Sequence, residues 1–277
     1  RFVPAGNGCA ATLFKAMRYS LLSSGKRLRP ILLLAAAESV GGSVDPLLPV
    51  ACAVEMIHAY SLIHDDLPAM DNDDLRRGRP TSHKVFGEAT AILAGDALLT
   101  DAFALRAAPE TSRAFPPDKL LEAIHEIARA AGSSGMVGGQ QVDIEWEGTG
   151  ISSEALDFIH QHKTGDMIRA SARVGALLGG GTPSQVGALT RYGRCAGLAF
   201  QIIDDILDVE GDPERLGKPV KADARRGKAT DPALFGLEES RKRSKQLIDE
   251  AIAALSGCGA EAEPLRMLAR YVIQRDR

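Results

Sequence analysis

The sequence predicts an all-α protein, and three observations carry that expectation. Apolar residues recur at helical spacing through most of the chain, as in VACAVEMIHAYSLIHDD and CAGLAFQIIDDILD. Alternating β-branched runs are scarce, and no Asn-Gly or Asp-Gly turn joins two apolar strands. Clusters of Gly and Pro cut the chain into lengths that suit helices. With 277 residues, 45% of them hydrophobic and 25% charged, the chain can bury a large core. No linker, low-complexity tract or tandem repeat divides it, so a single domain over 1–277 is expected.

The first helical block covers about residues 31–39 and ends at Gly41 and Gly42. Pro46 and Pro49 separate it from a second block over 50–67. Pro116 and Pro117 precede Asp118, a predicted N-cap for a helix over 119–131. A block that begins near Ser153 closes in the glycines and proline of 179–183, and the next runs from 184 to about 209. Residues 211–230 are polar and loop-like. Two amphipathic helices follow, over 238–255 and 264–274.

A net charge of −3 and the lack of any long run of like charge argue against a general nucleic-acid or membrane-surface role, so charge recognition must be local. Cys9, Cys52, Cys195 and Cys258 are scattered, with no CxxC pair, as expected for reduced thiols in a cytosol-like compartment. The longest strongly apolar run, PILLLAAA at 30–37, is too short to cross a bilayer, and no membrane span is expected. A cytoplasmic location is expected; because the sequence opens on Arg1, a removed targeting segment, and with it a plastid or other organelle, stays open.

The chemistry concentrates in two acidic clusters. Asp204 and Asp208 stand four apart on one helical face with Asp205 beside them, and like charges so placed repel each other and oppose the helix dipole. Ile202, Ile203, Ile206 and Leu207 surround them, so the acids belong to a helix that must be mostly buried. A divalent cation would relieve the conflict. In the first cluster Asp71 follows Asp65 by six residues, about 240° away on an unbroken helix. Pro68 biases the chain out of the helix and lets Asp71 loop back toward Asp65. A calcium loop beginning at Asp71 fails, because Arg76 stands where glycine is required.

Oxygen-only ligands suit Mg2+, which keeps waters and is commonly completed by substrate phosphates. Arg76 and Arg77 follow the first cluster at once and could pair diphosphate oxygens bidentately. GKRLRP puts Lys26 and Arg29 on one side of a turn, a candidate second anion pocket. P-loop and dinucleotide motifs do not fit. Taken alone, His58 and His64 are explained as well by packing or capping as by metal binding.

In order along residues 20–240, GKRLRP, EMIHAYSLIHDDLPAMDNDDLRRGRPTSHKVFGEATAILAGDALL, GMVGGQQVD, HKTGDMIRAS, GLAFQIIDDILDVEGD and LGK resemble the trans-isoprenyl diphosphate synthases. The final YVIQRDR looks like the tail of bacterial short-chain members. The resemblance implies a helical bundle around a central active-site cavity, the isoprenoid synthase fold, as a homodimer. It implies an Mg2+-dependent prenyltransferase that condenses isopentenyl diphosphate with dimethylallyl or geranyl diphosphate.

By the same resemblance Asp65, Asp66, Asp71, Asp204, Asp205 and Asp208 hold about three Mg2+ ions. Arg76, Lys163, Thr164, Gln201 and Lys218 bind the allylic diphosphate, and Lys26, Arg29, His58 and Arg77 bind isopentenyl diphosphate. Asp65, Asp71, Asp204, Lys163 and Gln201 are the expected catalytic residues. Tyr60, five residues before the first aspartate and about 7.5 Å up the helix, with Ser61, is the expected chain-length determinant, which favours farnesyl diphosphate as product. Geranylgeranyl diphosphate is the alternative product, and a non-catalytic partner subunit of another synthase the alternative role. A terpene cyclase would leave the GKRLRP and Arg77 pocket unused, and a plain metal-binding bundle would leave both basic sites unused. Against the family it resembles, one departure stands out: KATDP places Asp231 where members often carry an aromatic or other residue before the proline.

Overall fold

The computed structural model describes residues 2–5, 8–148, 150, 152–210, 228 and 230–275. Among these the regular secondary structure is helical apart from one two-stranded hairpin. It divides into two compact units, residues 1–30 with 48–116 and residues 31–47 with 117–277.

The first unit holds α1 (Ala11–Leu21) and the start of α2 (Leu28–Glu38), followed later in the chain by α3 (Leu48–Asp65). Next come the hairpin of β1 (Leu75–Arg76) and β2 (Arg79–Pro80), then α4 (Ser82–Phe86), α5 (Glu88–Ala107) and α6 (Pro109–Ser112). α3 is apolar on nearly every side. Val50, Val54, Met56, Ile57 and Ile63 are all buried, and α5 and α1 pack against it. Each such side chain contributes roughly 1.5–3 kcal/mol relative to exposure. A 21-residue stretch, Asp45–Asp65, is by length and composition apolar enough to cross a membrane, unlike the 30–37 run. It is nonetheless a core helix, 61% buried over its most apolar window, and it carries the buried acid Glu55.

The second unit contains the rest of α2, α7 (Pro117–Ala131), α8 (Met136–Glu145) and α9 (Ser153–Ile159). A π-helical turn, His160–Gly165, leads from α9 into α10 (Asp166–Leu178). The long α11 (Pro183–Glu210) is the spine: α10 and the π turn pack on it, as do α13 (Leu237–Ala254) and α14 (Glu263–Gln274), while α12 (Asp231–Phe235) caps its end. Tyr192 on α11 donates to the Leu265 carbonyl at 2.7 Å and fixes α14.

The helices expected over 31–39, 50–67, 119–131, 184–209, 238–255 and 264–274 form within a few residues of those bounds. Asp118 lies inside α7, whose first residue is Pro117, rather than capping it. The block from Ser153 is not uniform, because the π turn interrupts it. The absence of strands needs one correction. A short hairpin forms because Arg77 and Gly78, at φ 52° and 74°, supply the two left-handed residues of a tight turn. Arg-Gly fills the place that Asn-Gly usually takes, at a cost of about 1–2 kcal/mol for the arginine.

Candidate functional site

Pro68 acts as its position suggests. α3 ends at Asp65, and the following loop folds back so that the Asp71 N–H donates to the Asp65 carbonyl at 2.8 Å and the Asp73 N–H to the Asp66 carbonyl at 3.2 Å. Asp65 and Asp71 are half-buried, whereas Asp66 is buried and receives both Nε and Nη2 of Arg76 at 2.6 Å on one oxygen. Burial pushes the Asp66 carboxyl up, and the Arg76 guanidinium opposes that shift.

The hairpin turn sends its two arginines to different partners. Arg76 goes to Asp66, while Arg77 donates to the Ser24 carbonyl and lines a pocket with Arg27, Glu55 and His58. His58 is held well below the usual imidazole range by burial and then by the charges of Arg29, Arg77, Arg76 and Arg27. It is therefore a neutral hydrogen-bonding group inside a cationic wall, which is the environment a diphosphate requires.

Of the four residues expected here, His58 and Arg77 line the pocket and Arg29 acts on His58 by its charge; Lys26 is exposed and is not part of the lining. Arg27 and Glu55 were not anticipated. Arg27 adopts a left-handed backbone (φ 51°), pairs with Glu55 and donates to the Leu21 carbonyl at 3.0 Å. Glu55, a lone acid in an apolar helix three residues before His58, was the available signal, since a buried carboxylate demands a cation.

In the second unit the π turn carries the HKTG motif. Lys163 pairs with Asp143 at 2.7 Å, and Lys228 reaches the same carboxylate at 3.4 Å. Thr164 donates to Gln201 at 2.8 Å, and Gln201 donates to Asp205 at 3.1 Å. His160 Nε2 lies 3.1 Å from the other Asp205 oxygen, which also accepts the Asp231 N–H at 2.8 Å. Asp231 is itself buried and pairs with Arg243, whose Nη2 reaches Asp157 at 3.0 Å. The departure at Asp231 is thus built into the end of α11.

Asp205 and Asp208 are 4% and 2% exposed, while the Asp204 side chain is 42% exposed and pairs with Arg275 at 2.7 Å. The repulsion expected between these carboxylates is relieved by side-chain partners, His160 on Asp205 and Arg275 on Asp204. Neither residue was singled out from the sequence, and neither was Asp143. Lys218 and most of the 219–231 loop lie outside the described residues.

Tyr60 is 6% exposed, with its ring edge-on to His64 at 5.7 Å between centroids. Burial and then the Asp65 charge push its phenol up to about 12. Ser61 turns back to the His58 carbonyl at 3.0 Å.

Among the described residues no three acidic, His or Cys side chains converge to hold a cation. Sparse oxygen donors, with Asp71 folded back to Asp65 and Asp204 open to solvent, fit an ion that keeps waters and takes its other ligands from substrate phosphates. All four cysteines are free.

The polyprenyl synthetase family model matches residues 10–265. Farnesyl diphosphate synthase of Geobacillus stearothermophilus is 50% identical over 266 residues, covering 96% of this chain and 89% of that protein. The large subunit 1 of the chloroplastic heterodimeric geranylgeranyl pyrophosphate synthase of Arabidopsis thaliana is 49% identical over 95% of this chain and 72% of its own length. Among solved structures, an FPP/GFPP synthase from Zymomonas mobilis superposes with a TM-score of 0.88 at 41% identity, covering 98% of this chain and 91% of that one.

Proposed function

The chain belongs to the polyprenyl synthetase family, and on that premise we propose that it condenses isopentenyl diphosphate head-to-tail with dimethylallyl and geranyl diphosphates, releasing farnesyl diphosphate. The observation that carries this reading is the hydrogen-bond chain Thr164–Gln201–Asp205–His160. It ties the HKTG turn, whose Lys163 pairs with Asp143, to the second aspartate cluster.

Arg76, Lys163, Thr164, Gln201 and Lys218 bind the allylic diphosphate, and Lys26, Arg29, His58 and Arg77 bind isopentenyl diphosphate; the cationic surroundings of His58 support the second assignment. Asp65, Asp66, Asp71, Asp204, Asp205 and Asp208 would hold about three Mg2+ ions in the substrate complex. When bound, Mg2+ supplies Lewis-acid stabilisation of the departing diphosphate. The allylic C–O bond ionises, the isopentenyl double bond attacks the cation, and a proton leaves to the released diphosphate. Thr164 and Gln201 line the cation's surroundings with Phe200, and apolar walls limit its capture by water. Tyr60 is the floor of the hydrocarbon tunnel. Residues 1–277 act as a single isoprenoid synthase domain, in a homodimer with no nucleic-acid partner, in the cytoplasm; plastid relatives make an organelle the other location to test.

Purified protein with Mg2+, isopentenyl diphosphate and dimethylallyl diphosphate, analysed as dephosphorylated alcohols, tests this. Farnesol as the main product is expected. Geranylgeraniol or longer alcohols would keep the reaction and discard the Tyr60 floor. No Mg2+-dependent product would move the chain to the partner-subunit role.

A further inference from the structure

The C-terminal segment reaches the second aspartate cluster. α14 ends at Gln274, Arg275 leaves it with an extended backbone (φ −69°, ψ 147°), and its side chain, 1% exposed, enters beside α11. There the guanidinium is fixed at three points. Nη2 forms an ion pair with Asp204 Oδ1 at 2.7 Å and donates to the Phe200 carbonyl at 2.7 Å, and the guanidinium carbon lies 3.9 Å from the centre of the Phe200 ring. Phe200 and Asp204 are four residues apart, so Arg275 spans one turn of α11.

Two features set this contact apart from an ordinary buried ion pair. First, Nε and Nη1 of Arg275 are buried without a hydrogen-bond partner among the described residues. A buried cation with unsatisfied donors is a poor stabilising device, so stability alone does not account for it. Second, the contact takes Asp204 Oδ1 only, and the Asp204 side chain stays 42% exposed. The arginine orients the carboxylate and leaves it accessible. Asp205, next in sequence, is held comparably by Gln201, His160 and the Asp231 N–H.

We propose that Arg275 is a positioning residue for the metal-binding carboxylate Asp204: the C-terminal segment locks the carboxylate rotamer so that its second oxygen faces the cation. This rests on the prenyltransferase reading above and adds to it a function for the end of the chain. Carboxylates that ligate metals are commonly hydrogen-bonded from behind, and removal of such partners typically weakens metal affinity about 10–100-fold.

The test is calorimetric titration of the intact protein with Mg2+ in the presence of inorganic pyrophosphate, comparing the unsubstituted protein with Arg275→Gln and Arg275→Lys. Thermal melting without metal runs alongside. Gln removes the charge and the stack, whereas Lys keeps a cation for Asp204. The expected result is about tenfold weaker Mg2+ binding in Arg275→Gln, partly restored in Arg275→Lys, with a higher KM for Mg2+ and kcat little changed at saturating Mg2+. Unchanged affinity with a lowered melting temperature would overturn the proposal and make Arg275 a packing residue. Tighter Mg2+ binding would overturn it too, making Arg275 a competitor of the metal. Should Arg275→Gln not fold, Arg275→Lys alone decides, since loss of the fork should still weaken binding. Failure of the unsubstituted protein to bind Mg2+ with pyrophosphate would instead count against the prenyltransferase reading itself.

Discussion

Replacing Gly139 by Ala tests how the second unit holds Lys163 and Thr164, the side chains proposed to bind the allylic diphosphate. Gly139 lies in α8 against the π turn, and a β-carbon there would stand 2.2 Å from the Lys163 backbone nitrogen and 2.8 Å from its α-carbon. Ordinary contact begins near 3.4 Å, so the turn must retreat from α8 by about 1.2 Å, and the obstruction is backbone that cannot rotate away. Overpacking of this kind costs about 1–3 kcal/mol, or roughly 2–10 °C in melting temperature for a chain of this size.

The functional effect should be larger. Lys163 sits 2.7 Å from Asp143 and Thr164 2.8 Å from Gln201, and neither contact survives a shift of that size. A displacement of about 1 Å in a positioning group can cost about 100-fold in rate. Steady-state kinetics with geranyl diphosphate as the varied substrate should therefore show kcat/KM down about 100-fold, with the KM for isopentenyl diphosphate near its original value. Gly187→Ala is the control: it is helical, nothing lies within 4 Å of its added β-carbon, and it should stabilise by about 1 kcal/mol without changing kinetics. Gly139→Ala with unchanged melting and unchanged kcat/KM would refute the claim that the α8 contact places the HKTG turn.

Asp65→Ala and Asp204→Ala should each lower turnover by orders of magnitude while circular dichroism stays native; near-normal turnover would remove the metal assignment. Tyr60→Ala should shift the product, read as dephosphorylated alcohols, to longer chains, and an unchanged product would remove Tyr60 from the tunnel floor. His58 takes its proton more readily in the unfolded chain than in the folded one, because burial and four arginines depress it. Its contribution to stability is thus full above the unfolded value of about 6.5 and declines as pH falls below it. His58→Asn should flatten that part of the melting-temperature profile, and an unaltered slope between about pH 6.5 and 5 would refute the depressed value.

The sequence by itself determined the all-α class, most helix positions and the two aspartate clusters, because helical periodicity, proline breaks and charge spacing are local properties of the chain. Even the return of Asp71 toward Asp65 was legible in Pro68. It did not reveal the Arg77–Gly78 turn, because an arginine in a left-handed conformation is tolerated only where surrounding contacts hold it. Nor did it reveal the π turn at His160–Gly165, which depends on close packing against α8 and α11.

Above all, the tertiary structure decided which charge meets which. Glu55 with Arg27, Asp143 with Lys163, and Asp204 with Arg275 are separated by 28, 20 and 71 positions in the chain. No helical periodicity spans such distances. Glu55 and Asp143 are largely buried, and a buried carboxylate leaves only packed geometries in which a distant cation neutralises it; for the more exposed Asp204 it is the partner Arg275 that is buried and demands the pairing.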